Sequence, residues 1–214
     1  MRSAITLVAL PLVLAAIVVA FADTAQCKES TAADVSTASI GGLLAGQYDN
    51  AAQVAQAQTK STEENPAPPH VTVSIEPTQL ADWALWRVHM DVDSDTALDA
   101  DWAMHIERRT FDKSLALIPY TLRPSIDLKK VNAVSFDESQ WLSLEACMLR
   151  GDFSKSHIAA HSEGEPCAAE GMGLGGKRAF LPASVDREGD SLRVYLIYRG
   201  TPLAVDARRV VTAP

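Results

Sequence analysis

Two hydrophobic periods divide the chain. Ile40, Leu43, Leu44, Tyr48, Ala51, Ala52 and Ala55 recur at helical spacing, which predicts an amphipathic helical region reaching Thr59. Gly41, Gly42 and Gly46 weaken it. Asn50 with Gln53 three residues on has the form of a capping box, so the region also reads as two helices meeting at Asp49-Asn50. The run Glu63 to Pro69, rich in proline, ends any helix. From His70 the period becomes two. Val71, Val73 and Ile75 alternate with polar residues, as do Trp86, Val88, Met90 and Val92, then Trp102, Met104 and Ile106. Leu115 and Leu117 continue the pattern to Tyr120 and Leu122, with Pro119 marking a bulge or an edge. Phe136 to Leu144 reads as one short helix begun by Asp137 or Ser139 and anchored by Trp141 and Leu142. Strand-like pieces follow at 146–150, 154–160, 178–185 and 191–199, the last two joined by a turn at 186–190. About eight short strands at regular spacing, with helix confined mainly to the start, predict a mainly β fold, an antiparallel barrel preceded by one or two N-terminal helices.

The first residues add a different signal. Arg2 precedes an uncharged apolar run from Ala4 to Phe21, and Ala20-Phe21-Ala22 supplies small residues where a signal peptidase reads. Residues 1–22 therefore read as a cleaved secretory signal, with an uncleaved anchor as the alternative. Residues 23–38, small and polar, read as a linker, which leaves 39–214 as the barrel domain with its helices. Export, to a periplasm or outside the cell, places the three cysteines in an oxidising compartment. Cys147 and Cys167 flank two strand-like pieces and are the expected disulfide, Cys27 being left over. Such a bridge restricts the unfolded chain by about 3 kcal/mol. Acylation of Cys27 is the lipoprotein alternative, and the only route by which a membrane would be a partner. Gln26 and Thr24 depart from that signal.

Charge and motifs narrow the chemistry. The chain has 214 residues, 19 basic and 27 acidic, for a formal charge of −8. That balance argues against nucleic acid as a partner. Gly171 to Lys177 matches a glycine-rich phosphate loop, but Arg178 replaces the metal-binding hydroxyl and no helix is expected after it. His157 and His161 are four apart in a strand-like segment, where they lie about 13 Å from each other, too far for one metal. Asp91, Asp93, Asp95, Asp99 and Asp101 form an acidic run without the central glycine and final glutamate of an EF-hand. No metal and no required cofactor is expected.

The middle strands carry the remaining candidates. Arg87 and His89 share one face, and His105, Glu107 and Arg109 share a face of the next strand. Turned inward, these groups would line a cavity suited to carboxylates. Turned outward, they are solvent-facing residues, and periodicity does not choose. With the neighbouring aromatics, the candidate ligand contacts are Trp86, Arg87, His89, His105, Glu107, Arg109 and Tyr120.

Several short motifs resemble the CpcT/CpeT family, chromophore lyases that attach bilins to phycobiliprotein cysteines. Leu43-Leu44-Ala45-Gly46-Gln47-Tyr48-Asp49-Asn50-Ala51-Ala52-Gln53 is similar to that family's opening motif. Pro68-Pro69-His70-Val71 resembles the entry to its first strand, and Trp102 to Arg109 its following strand motif. Leu144-Glu145-Ala146-Cys147, Phe153, Cys167 and Asp186-Arg187 follow in the family's order. The family's Glu-Gln pair near Trp86 is His89-Met90 here. The resemblance implies a lipocalin-like barrel, pairing as a homodimer, and a bilin held in the calyx. It also implies delivery to a thiol of an acceptor protein by thioether formation. The alternative is a non-enzymatic envelope protein acting through protein contacts.

Overall fold

The computed structural model describes residues 37–62, 66–93, 96–109, 114–154, 156–163, 181–198 and 201–211, all within one compact unit. The expected signal segment, most of the linker, Cys27, Cys167, Asp95 and the glycine-rich loop lie outside them.

The chain order is α1 (Thr37–Leu44), β1 (Gly46–Asp49), α2 (Ala51–Gln58), β2 (His70–Pro77), β3 (Trp83–Asp93), β4 (Thr96–Arg108) and β5 (Leu115–Leu122). Then come β6 (Trp141–Ser143), β7 (Leu149–Phe153), β8 (His157–Ser162), β9 (Leu181–Glu188), β10 (Ser191–Tyr198) and β11 (Thr201–Arg209). Ten strands close an antiparallel barrel in the order β1-β2-β3-β4-β5-β7-β8-β9-β10-β11, with β11 returning to β1. β6 pairs with the far end of β5, beyond the stretch that β7 occupies. The mainly β barrel expected from the alternation is therefore present, with ten strands in the ring where about eight were expected.

The two additional ring strands are β1 and β11. The helical spacing around Leu44 and Tyr48 concealed β1. Gly46 adopts φ +153, which stops α1 and redirects the chain. Tyr48 is then buried between β2 and β11. A Cβ on Gly46 would also come within 2.9 Å of Arg209 Nε. The expected capping box is absent, because the Asn50 side chain turns towards the sheet. Its Oδ1 accepts from Val71 N at 2.8 Å, and its Nδ2 donates to Pro69 O at 3.1 Å and to Gln53 Oε1 at 3.0 Å. Asp49 Oδ1 instead accepts from Ala51 N, at the start of α2.

Three other expectations shift. The helix placed at 136–144 is one 3-10 turn, Glu138–Gln140, capped by Asp137, whose Oδ1 accepts from Ser139 N at 3.0 Å. The chain then becomes extended, because Trp141 pairs with Leu122 in β6. Residues 145–147 form a 3-10 turn, and the strand begins at Leu149. The turn expected at 186–190 is only Gly189-Asp190: Glu188 pairs with Ser191, and Gly189 takes the left-handed φ +56.

The barrel interior is one contiguous apolar cluster. Val71, Val73, Ile75, Trp86, Val88, Met90, Trp102, Met104, Ile106, Leu115, Leu117, Val185, Val194 and Val205 all belong to it at 0–3% exposure. Ile40 and Leu44 of α1 join this cluster, and α1 touches β2, β3 and β4. A second apolar layer lies on the opposite face of β3–β5. The strap of residues 123–144 lays Val131, Phe136 and Trp141 against Trp83, Leu85 and Ala103. Leu115, Ala116, Leu117 and Ile118 are all buried and do not alternate, and the turn at 145–147 also packs against β5. Among the described residues no helix is long and apolar enough to cross a membrane.

Candidate functional site

The strand faces settle where the candidate residues point. Trp86 faces the interior, fully buried, stacked on Trp102 at 6.3 Å between ring centres. It presents no accessible surface to a ligand. Arg87 and His89, one and three residues on, point outward by the same alternation. So do His105, Glu107 and Tyr120, on the face that the strap partly covers.

Outward does not mean featureless here. A groove of about 610 Å³ runs between the outer face of β1–β4 and the strap. Its floor includes Gln47, Thr72 and Ser74. Its walls are Arg87, His89, Asp99 and Asp101, and Lys129 and Val131 of the strap overhang it. Val210 closes one side. Arg87 links floor and strap: its Nη2 donates to Val131 O at 3.2 Å, and its Nε lies 3.5 Å from Asp101 Oδ1.

Register brings the charged groups together. His70 stands opposite Asp91, and His89 opposite Asp99. His89 Nδ1 is 2.7 Å from Asp99 Oδ1, and its Nε2 is 3.1 Å from Asp91 Oδ1. Asp91 Oδ2 lies 3.0 Å from His70 Nδ1. With a carboxylate at each ring nitrogen, only the doubly protonated imidazolium can donate to both. The bond to Asp99 is the main reason the His89 pKa is raised. The bond from His70 is the main reason the Asp91 pKa is lowered. The acidic run thus supplies partners to cations: Asp91 and Asp99 hold His89, and Asp101 faces Arg87.

The other candidates separate from this groove. His105 is stacked on Trp83 at 4.6 Å, with Nε2 3.1 Å from Asp82 Oδ2 and Nδ1 3.6 Å from Glu107 Oε1. Tyr120 meets Trp83 edge-on at 4.6 Å in the same aromatic layer. Arg109 lies at the end of β4, where its Nη2 approaches Met148 Sδ at 3.4 Å. Of the seven candidates, the structure brings Arg87 and His89 into one groove, and His105, Glu107 and Tyr120 into another layer. Alternation alone could not have located Thr72, Asp99, Lys129 or Val131 in the groove, since cross-strand register and the strap's path bring them there. His157 lies 3.2 Å from Asp186 Oδ1, not beside His161. Among the described residues no group of three or more His, Cys, Asp or Glu side chains is placed to hold a metal ion.

Comparison with protein-family models, with curated proteins and with solved structures finds no match. The site is therefore read from its own chemistry. It offers Arg87 held by Val131 O and Asp101, the exposed Lys129, an imidazole clamped by Asp99 and Asp91, hydroxyl and amide groups and an apolar edge. The arrangement suits binding of an amphipathic molecule with an acidic end.

Proposed function

We propose that the protein binds a small amphipathic acid in the outer groove, an open-chain tetrapyrrole of the bilin class being the specific candidate. The observation that carries this is the place of Arg87. Its guanidinium is partly exposed, anchored on the strap, and faces a groove of about 610 Å³ that Lys129 overhangs. Small-molecule sites span about 300–1,000 Å³. A propionate would take paired donors from Arg87, while Thr72, Ser74 and Gln47 meet the polar ring edges. Lyase chemistry is the finer form of this proposal. Thiol addition to the bilin's ethylidene group would form a thioether on an acceptor protein, and this chain would contribute orientation.

The test is visible absorbance of the protein mixed with biliverdin, phycocyanobilin or haem. A saturable spectral shift with a bilin is expected, weakened about tenfold or more by Arg87→Ala. No shift with any of the three contradicts the proposal. A zinc-fluorescent covalent adduct on a phycobiliprotein subunit would support lyase activity, and failure to form one restricts the protein to binding.

Pairing of Cys147 with Cys167 is proposed from their places in the sequence, Cys147 being buried beside Leu144 and Leu181. Three titratable thiols in unreduced, denatured protein would contradict it. Export rests on the pattern of residues 1–22, and a mature chain starting at Asp23 would support it. Action through protein contacts, including a homodimer, is the second reading. Val134 on the strap, 84% exposed, is a side chain that such a contact would cover. Sedimentation of the wild type against Val134→Asp distinguishes a dimer from a monomer.

A further inference from the structure

β9 sets Val185 and Arg187 on one face, and Val185 belongs to the fully buried interior cluster. Across the ladders, Arg187 stands opposite Leu192 on one side and Ile158 on the other, both interior residues. Arg187 therefore lies on the inner wall, close to the rim where β1 begins and where β9 and β11 end. It is 7% exposed. Its Nε is buried with no hydrogen-bond partner, and no carboxylate among the described residues forms an ion pair with it. A guanidinium held among apolar side chains without a counter-charge is costly to the fold.

The sign of what is missing is legible. The other buried, unpartnered polar atoms on the inner wall of the described residues are Trp86 Nε1, Trp102 Nε1 and Arg209 Nε. All are donors. Arg209 spends its Nη2 on Ala45 O and on the Tyr48 hydroxyl, the latter at 3.1 Å, which leaves its Nε over. It also borders an opening of about 450 Å³ that contains Glu76 and shares Gln47, Ser74 and Val210 with the outer groove. An inner wall with surplus donors, two of them cationic, fits an acceptor that carries negative charge.

We propose that the inner wall at Arg187 binds an oxyanion, a carboxylate or a phosphate group, with Arg209 as the second cation of that rim. Arg187 does not line the outer groove, and the proposal does not rest on what that groove binds.

The experiment is thermal unfolding of the full chain and of Arg187→Met in sodium chloride, inorganic phosphate and laurate, at matched ionic strength. Wild type should gain about 3 °C or more in phosphate, laurate or both. A response to phosphate alone identifies a free oxyanion, and a response to laurate alone identifies the head of an amphipathic acid. Arg187→Met should lose that response. In chloride it should melt at or above the wild-type temperature, because the uncompensated charge is gone. Equal responses in the two proteins overturn the proposal. So does a wild type indifferent to both anions, a result that stands whether or not the variant folds. Biliverdin titration of Arg187→Met separates the sites: a retained spectral shift shows an intact groove whatever the anion result.

Discussion

Trp86 and Arg87 are neighbours on β3 and belong to different environments. Trp86 joins an inner wall in which nearly every side chain is apolar and fully buried. Arg87 joins an outer face where charged groups pair across strands and a strap adds a second layer. The inner face gains stability from area removed from water and from close packing. The outer face gains little from its exposed ion pairs, yet it holds the groove. On the proposed function, stability and recognition are divided between the two faces of the same strands. The exception is Arg187, a charge on the stabilising side.

That division can be broken from either side. The largest effect is expected inside. Trp86→Ala removes a fully buried indole from a wall with no room to collapse, and should cost about 4–5 kcal/mol by urea denaturation. An outer-layer change should cost less and act on binding. Trp141→Ala removes the strap's anchor on Phe136, 5.8 Å away between ring centres, and should cost about 3 kcal/mol. Hydrogen exchange should then accelerate in residues 123–144 while β2 and β10 stay protected. Equal acceleration throughout would show that the two layers are one unit.

Asn50→Ala comes next. It leaves the Val71 N–H without its side-chain acceptor and should cost about 2 kcal/mol. An effect near zero would mean that water replaces the amide.

The smallest effect is a pH dependence. The His89 pKa lies above its ordinary value of 6.5. Its contribution is therefore complete below that value and lost as pH rises through the higher folded value. The Asp91 pKa lies below its ordinary 3.8, so its contribution is present above that value and lost as pH falls through the lower folded one. The ladder is most stabilising in mild acid. Moving from pH 5.5 to 8 should lower Tm by about 1 °C more in wild type than in His89→Gln, since the pairs are exposed. The same fall in both proteins would remove His89 from the account.

Much of the inner face was legible in the sequence. β2, β3 from Trp86 onward and β4 from Met104 onward alternate, because one face of each must be buried. β1 was not legible: four residues with one inward aromatic, Tyr48, also satisfy helical spacing from Leu44. β11 is hard to read although Leu203, Val205 and Ala207 alternate, since Pro202 and the alanines dilute the signal. The outer site was half legible. Arg87 and His89 share a face by alternation, but their partners Asp101 and Asp99 follow from register across the β3–β4 turn. Lys129 and Val131 reach the groove only because the strap folds back over Leu85 and Ala103, a tertiary event with no local period.

The division of labour itself is tested most directly by chemical-shift mapping of the isotope-labelled protein during a biliverdin titration. Shifts confined to Thr72, Arg87, His89, Lys129 and Val131, with Trp86, Met90 and Met104 unmoved, are the predicted result. Shifts centred on Trp86, Met90 and Met104 would place the guest inside the barrel and contradict it.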